Sequence, residues 1–172
     1  VQVTVDGEPM TAEDGEPIGC LNAGQINLSS DITDISTDAV ALYHLTESGK
    51  LRREMYSIAA SGKLNTERLI LEKLASQPES GELRGTYKND DTVISAETSG
   101  RICFVNLKSK FEKDNSGGGK ENIAIYSIVN SLTELPDVDG VVFLIDGKRC
   151  DKFGSIDISN VMKPDYNIVE NK

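Results

Sequence analysis

The chain has no tryptophan, a single histidine and no apolar run long enough to cross a bilayer. Each shortage narrows what it can do. Aromatic residues fill only 5% of its 172 positions, so the core must come from aliphatic packing between helices and sheet. With His44 as the only imidazole there is at most one triad base, and a zinc site built from the usual ligands lacks donors. Cys20, Cys103 and Cys150 are odd in number and without CxxC spacing, which removes the common metal and redox motifs. Cations are short too. Lys and Arg total 18 against 28 Asp and Glu, a net charge of −10, which argues against a nucleic-acid backbone or an anionic membrane surface as partner. A spanning helix needs about 20 consecutive apolar residues, and no segment approaches that. The chain opens in VQVTVDG without the basic stretch of an export signal, and a mature N-terminus looks the same.

What is present is patterned most clearly from Gly117 to Arg149. Three glycines free the backbone ahead of a helix, where open N–H groups need partners. Ile125, Ile128, Val129, Leu132 and Leu135 then recur three and four apart, the period of one buried helical face. Pro136 stops that helix, and Val141–Ile145 is an unbroken apolar run of the kind buried on both faces of a sheet. Asp146-Gly147 ends it as a turn.

Upstream, 39–45 and 51–59 flank Glu47-Ser48-Gly49-Lys50 as a hairpin, and Asn65 caps a helix over 66–76 with Ile70, Leu71 and Leu74 inward. A second hairpin joins 92–97 to 101–107, residues 108–115 read as a polar connection, and a short strand is expected at 155–158. The order is ββ-α-ββ-α-β with a last short strand, an α+β two-layer sandwich with two helices on one face of a mixed sheet. Residues 1–36, with Gly-Glu-Pro twice and a short strand near Val1–Val5, read as an arm or linker; 37–165 form one domain and 166–172 a tail.

The candidate chemistry is weak when weighed residue by residue. Asn115–Lys120 imitates a phosphate loop, but Asp114 stands where that motif needs glycine and Glu121 where it needs Ser or Thr. His44 reads as a partly exposed strand residue; Ser57 and Ser61 are near it in sequence, without any activating setting. Asp31, Asp34, Asp38, Asp90, Asp91, Asp137, Asp139 and Asp146 read as turn-formers or solvated charges, and the calcium-like Asp137-x-Asp139-Gly140 lacks its closing Glu. Cys103 reads as a small buried hydrophobe, with a Cys103–Cys150 disulfide open if their strands are neighbours. The expectation is therefore no catalytic residue, no metal and no cofactor.

The same stretches carry a resemblance. Gly118-Gly119, Ser131-Leu132-Thr133-Glu134-Leu135-Pro136, Val138-Asp139-Gly140-Val141 and Phe143-Leu144-Ile145-Asp146-Gly147-Lys148 resemble the second half of the GerM (GerMN) domain, with Ile102–Leu107 and Ile156–Ser159 like its flanking strands. The similarity spans roughly Thr37 to Pro164, in a single copy. It implies a sporulation or spore-germination protein of the bacterial envelope, with a fold similar to ring-building domains. It also implies an extracytoplasmic lipoprotein whose membrane contact is a tether outside this chain. The expected role is non-catalytic: assembly of an envelope complex with envelope proteins or with further copies of itself. Edge strands supply a route, since their backbone groups can pair with another chain. The solvent side of the second helix (Glu121, Asn122, Asn130, Thr133, Glu134) is the candidate interaction face. The alternative is a module that binds cell-wall glycan or peptide for a neighbouring enzyme, for which Tyr43, Tyr56, Tyr87, Tyr126 and Tyr166 would have to cluster at the surface. A hydrolase would need a deep pocket where His44 meets a serine or a carboxylate.

Overall fold

A computed structural model describes residues 4–5, 8–9, 37–59, 65–78, 81–87 and 92–170. The chain divides into two units, 1–34 and 35–172. In the first, β1 (Thr4–Val5) pairs antiparallel with β2 (Glu8–Pro9). The rest of the expected arm lies outside the described residues, as do Cys20, Ser61, Asp31, Asp34, Asp90 and Asp91 and the side chain of Asp38.

The second unit opens with the expected hairpin, β3 (Thr37–Thr46) against β4 (Leu51–Ala59). α1 (Thr66–Ala75) starts where the Asn65 side chain accepts the Arg68 N–H at 3.0 Å, and it buries Ile70, Leu71 and Leu74. β5 (Leu83–Arg84) returns to pair with the end of β3. The second hairpin is β6 (Val93–Ser99) and β7 (Ile102–Leu107), turned through Gly100 and Arg101, both at positive φ (56° and 64°). α2 (Ser109–Asn115) and α3 (Lys120–Leu132) then cross over to β8 (Gly140–Ile145), which runs parallel to β7. β9 (Lys148–Arg149), β10 (Lys152–Phe153) and β11 (Ile156–Asp157) complete the chain's short pairings.

The class is α+β and the expected order holds, with two refinements. The strands of this unit form two main sheets, β4-β3-β5 and the mixed β6-β7-β8-β9, where the pattern predicts a single sheet. α1 and α3 pack on each other and on both sheets, and one core runs through all of them from Val40 and Leu42 to Val105, Ile128 and Phe143. The polar connection expected at 108–115 is a helix. Its single large apolar residue, Phe111, has its ring centre 5.0 Å from Tyr87 and 5.6 Å from Phe153. One anchor in seven residues gives no period to read; the aromatic contact, not local pattern, fixes that turn.

The sheet edges are closed by different means. On β6, the outward carbonyls of Ala96 and Ile94 accept hydrogen bonds from the side chains of Asn65 (2.5 Å) and Arg68 (3.0 Å), so α1 seals that edge. On β8, Val141 exchanges backbone bonds with Met162 (3.0 and 2.7 Å). Gly140 makes that approach possible: a Cβ there would sit 2.5 Å from Val161 Cγ1 and 2.9 Å from the Met162 carbonyl. On β4, Leu51 bonds to Ile168 and Glu170 of the tail.

Candidate functional site

The residues singled out by chemistry are mostly spent inside the fold. His44 is buried (1% exposed), not partly exposed as the alternation predicts. Its Nε2 lies 3.3 Å from the Lys73 carbonyl, its ring centre 5.3 Å from that of Tyr56, and its Nδ1 has no partner. Burial pushes its pKa down, against the pull of the Lys73 carbonyl and Glu54. No serine or carboxylate reaches either ring nitrogen among the described residues, so the pocket a hydrolase would need is not at His44.

Cys103 and Cys150 are free, so the disulfide left open by the sequence is not made. Burial pushes the Cys103 thiol up to about 12. Asp139 receives both Arg101 Nε and Nη2 at 2.7 Å, which holds its carboxyl below the usual range, and Asp137 stands 3.9 Å from the same guanidinium. Asp146 accepts the Ser109 N–H at 3.3 Å. Among the described residues no three His, Cys, Asp or Glu side chains gather as metal ligands. Gly117, Gly118 and Gly119 all have positive φ (88°, 66° and 80°) and open α3 as a tight backbone turn.

The five residues expected on the solvent side of α3 do not share a surface. Asn122 is exposed and Thr133 and Glu134 are half-buried, whereas Glu121 and Asn130 are buried. Asn130 donates to the Asp165 carbonyl at 2.9 Å and accepts the Asp165 N–H at 3.0 Å, pinning the tail. Glu121 takes the Ser155 hydroxyl at 3.0 Å, and its carboxyl is held below the usual range chiefly by its own backbone N–H. Thr133 bonds back to Val129. Glu134 accepts Arg53 Nε and Nη2 at 3.1 and 2.9 Å and the Tyr43 hydroxyl at 2.7 Å; the Arg53 bonds lower its pKa most. In sequence these residues look like a polar face because polar type predicts exposure on average, while long-range partners leave no local mark.

A further feature of the described residues is a groove along β3. In the β3–β4 ladder the residues of β3 alternate, one bonding to β4 and the next pointing away. Leu45 points away and pairs with Arg84; Tyr43 points away and its N–H donates to Ser131 Oγ at 3.0 Å. By the same alternation Ala41 and Ala39 turn their N–H and C=O away from β4. No described residue bonds them on that side. Ala39 is exposed, and Ala41, at 3% exposure, sits at the inner end. That edge opens into a cavity of about 670 Å³ lined by Glu67 and Thr98 from α1 and β6 and by Leu135, Pro136 and Val138 after α3. A side pocket of about 140 Å³ lies against Ala41, Met55 and Glu134. No sequence motif signals it, since alanines in a strand carry no chemical label.

Comparison with known proteins agrees with this architecture. The family model described as Germane, sporulation and spore germination, matches residues 41–151. The fold is similar to the tandem GerMN domains of the sporulation protein GerM from Bacillus subtilis, with a TM-score of 0.64 and 19% identity. That match covers 74% of this chain and 46% of the tandem chain, so this chain spans about half its length. It is equally similar to the first GerMN domain of the same protein (TM-score 0.64, 18% identity), covering 74% of this chain and 98% of that domain. No curated protein matches the chain significantly. With the family model spanning most of the second unit and the described strands and helices following it, the chain belongs to the Germane family of sporulation and spore germination.

Proposed function

We propose that this chain is a non-catalytic interaction domain that supports assembly of a sporulation or germination complex in the bacterial cell envelope. The family match over residues 41–151 carries the reading. The chemistry supports it: the one imidazole is turned into the core, and the polar groups of α3 hold the domain together rather than lining a reaction centre. Partners are envelope proteins or further copies of this chain, and Asn122 is the residue of the predicted helix face that a partner could meet directly. Among the described residues no helix is long and apolar enough to cross a membrane, so attachment in this reading comes from a lipid tether or segment beyond the domain, on the extracytoplasmic side.

The glycan-binding alternative needs exposed, clustered tyrosines. Tyr43 and Tyr87 are buried, Tyr56 and Tyr126 half-buried, and only Tyr166 is well exposed. Crosslinking and affinity capture of the tethered full-length protein from its own cells, with and without sporulation, tests the choice. Recovery of envelope-assembly proteins or of the protein itself supports the assembly role. Recovery of wall glycan or a wall hydrolase, without self-association, replaces it with the alternative.

A further inference from the structure

We infer that the groove beside β3 is a strand-docking site that takes an extended peptide segment of alternating apolar and basic residues. The inference rests on the interaction-domain reading and assigns it a surface. Three observations point the same way. First, Ala39 and Ala41 present backbone donors and acceptors away from β4, and buried backbone groups such as those of Ala41 are normally paired. Only another extended backbone satisfies both kinds of group at strand spacing, the mode by which peptides add to sheet edges. Second, Ala39 leaves the main cavity open and Ala41 borders its side pocket, while Leu135, Pro136 and Val138 give the cavity apolar lining for alternate side chains of an incoming strand.

Third, the charge of the groove is one-sided. Glu67 is engaged by the Thr98 hydroxyl at 2.6 Å and has no cationic partner among the described residues. Asp137 is 88% exposed, and the Arg101 beside it is committed to Asp139 by two 2.7 Å bonds. At the far end Arg53 is neutralised by Glu134. Among the described residues the charged groups lining the cavity are Glu67 and Asp137, both acidic, in a chain of net charge −10, so the complementary occupant is cationic. The neighbouring sheet shows the contrast, since the β6 edge is already filled by Asn65 and Arg68.

The test is an NMR titration of the full chain with two synthetic octapeptides, one alternating valine and lysine, the other valine and glutamate. The lysine peptide is expected to shift the Ala39, Ala41 and Glu67 amides, to protect the first two from exchange, and to bind more weakly as salt rises. Ala39→Pro removes a donor that faces away from the ladder, with a fixed φ that such an edge position tolerates, and should weaken binding at least tenfold with the melting temperature retained. Glu67→Lys gives up the Thr98 bond at a half-buried position and, with folding checked by a retained amide spectrum, should reverse the preference toward the glutamate peptide. Amides of Ala39 and Ala41 already protected in the free chain, equal binding of both peptides, or unchanged binding by Ala39→Pro would each overturn the inference. Capture from cells separates it from its parent. Partners retained by Ala39→Pro sink the groove and leave the interaction role standing; no partner with either protein sinks the role, and the titration still judges the groove.

Discussion

The two sheets of this domain end in opposite ways. The free side of β6 is closed by α1, whose Asn65 and Arg68 side chains occupy its outward carbonyls. The free side of β3 is closed only at its last residues, by Ser131 at Tyr43 and by β5 at Leu45, and beyond them it opens into a groove. Proteins commonly block strand edges because an open one invites another chain. Here the same helix that seals one sheet lines the mouth of the groove on the other, through Glu67. Sealing and opening are therefore set by neighbouring residues of one helical turn, which makes the contrast easy to break by single substitutions.

The largest effect is expected where an edge is sealed most tightly. Gly140→Ala places a Cβ 2.5 Å from Val161 and 2.9 Å from the Met162 carbonyl, so the 161–162 segment must leave β8 or the strand must shift. Overpacking of this kind should cost about 3 kcal/mol and lower the melting temperature by roughly 10 °C. A melting temperature within about a degree of the parent, well inside that expected shift, would mean that the segment yields freely and does not seal β8.

Next comes Asn65, which does two jobs with its two ends. Its oxygen caps α1 and its amide nitrogen covers Ala96. Asn65→Ala should lose both, about 2 kcal/mol, whereas Asn65→Ser keeps a capping oxygen and loses the amide donor, about 1 kcal/mol. Denaturant unfolding reads the seal as the loss in the cap-retaining variant and the cap as the further loss in Asn65→Ala. Equal losses in both would assign all of the effect to the edge and none to the cap.

Legibility from sequence differs between the same regions. The hairpins and α1 carry their own signals: alternating strands around Glu47–Lys50, and Asn65 followed by Ile70, Leu71 and Leu74 at helical spacing. α3 and β8 are legible for the same reason, and so is the family. What escapes is set by contacts between distant segments. The polar face of α3 reads as solvent-facing because nothing local reveals that Asn130 meets Asp165 or that Glu134 meets Arg53 and Tyr43. The groove escapes because it depends on which side of β3 has no neighbour, a property of the sheet order rather than of Ala39 or Ala41.

Lengthening the open edge is a finer test. Ser131→Ala removes the acceptor for the Tyr43 N–H, extending the unbonded stretch of β3 by one outward position. The cost should be about 1 kcal/mol, with the Tyr43 amide exchanging at least tenfold faster. Unchanged exchange at Tyr43 would show that α3 shields that position by packing alone, and the groove would still end at Ala41.

The smallest effect separates the two faces of β3 by pH. Beside the outward edge, Glu134 is held below its usual pKa by Arg53, and a carboxylate lowered on folding contributes stability that is lost only as pH falls below about 4.5. On the inward face His44 is buried with Nδ1 unpaired, and burial lowers its pKa. The unfolded chain then binds the proton more readily than the folded one, so this contribution is present above about pH 6.5 and lost as pH falls below it. Between about pH 7.5 and pH 6 the loss is at most about 0.8 kcal/mol, the cost of not protonating a group that titrates freely when unfolded. His44→Gln should remove that slope while leaving the steeper loss below about pH 4.5 intact. A variant with the parent's slope near neutrality would place the titrating group elsewhere and leave His44 as packing alone.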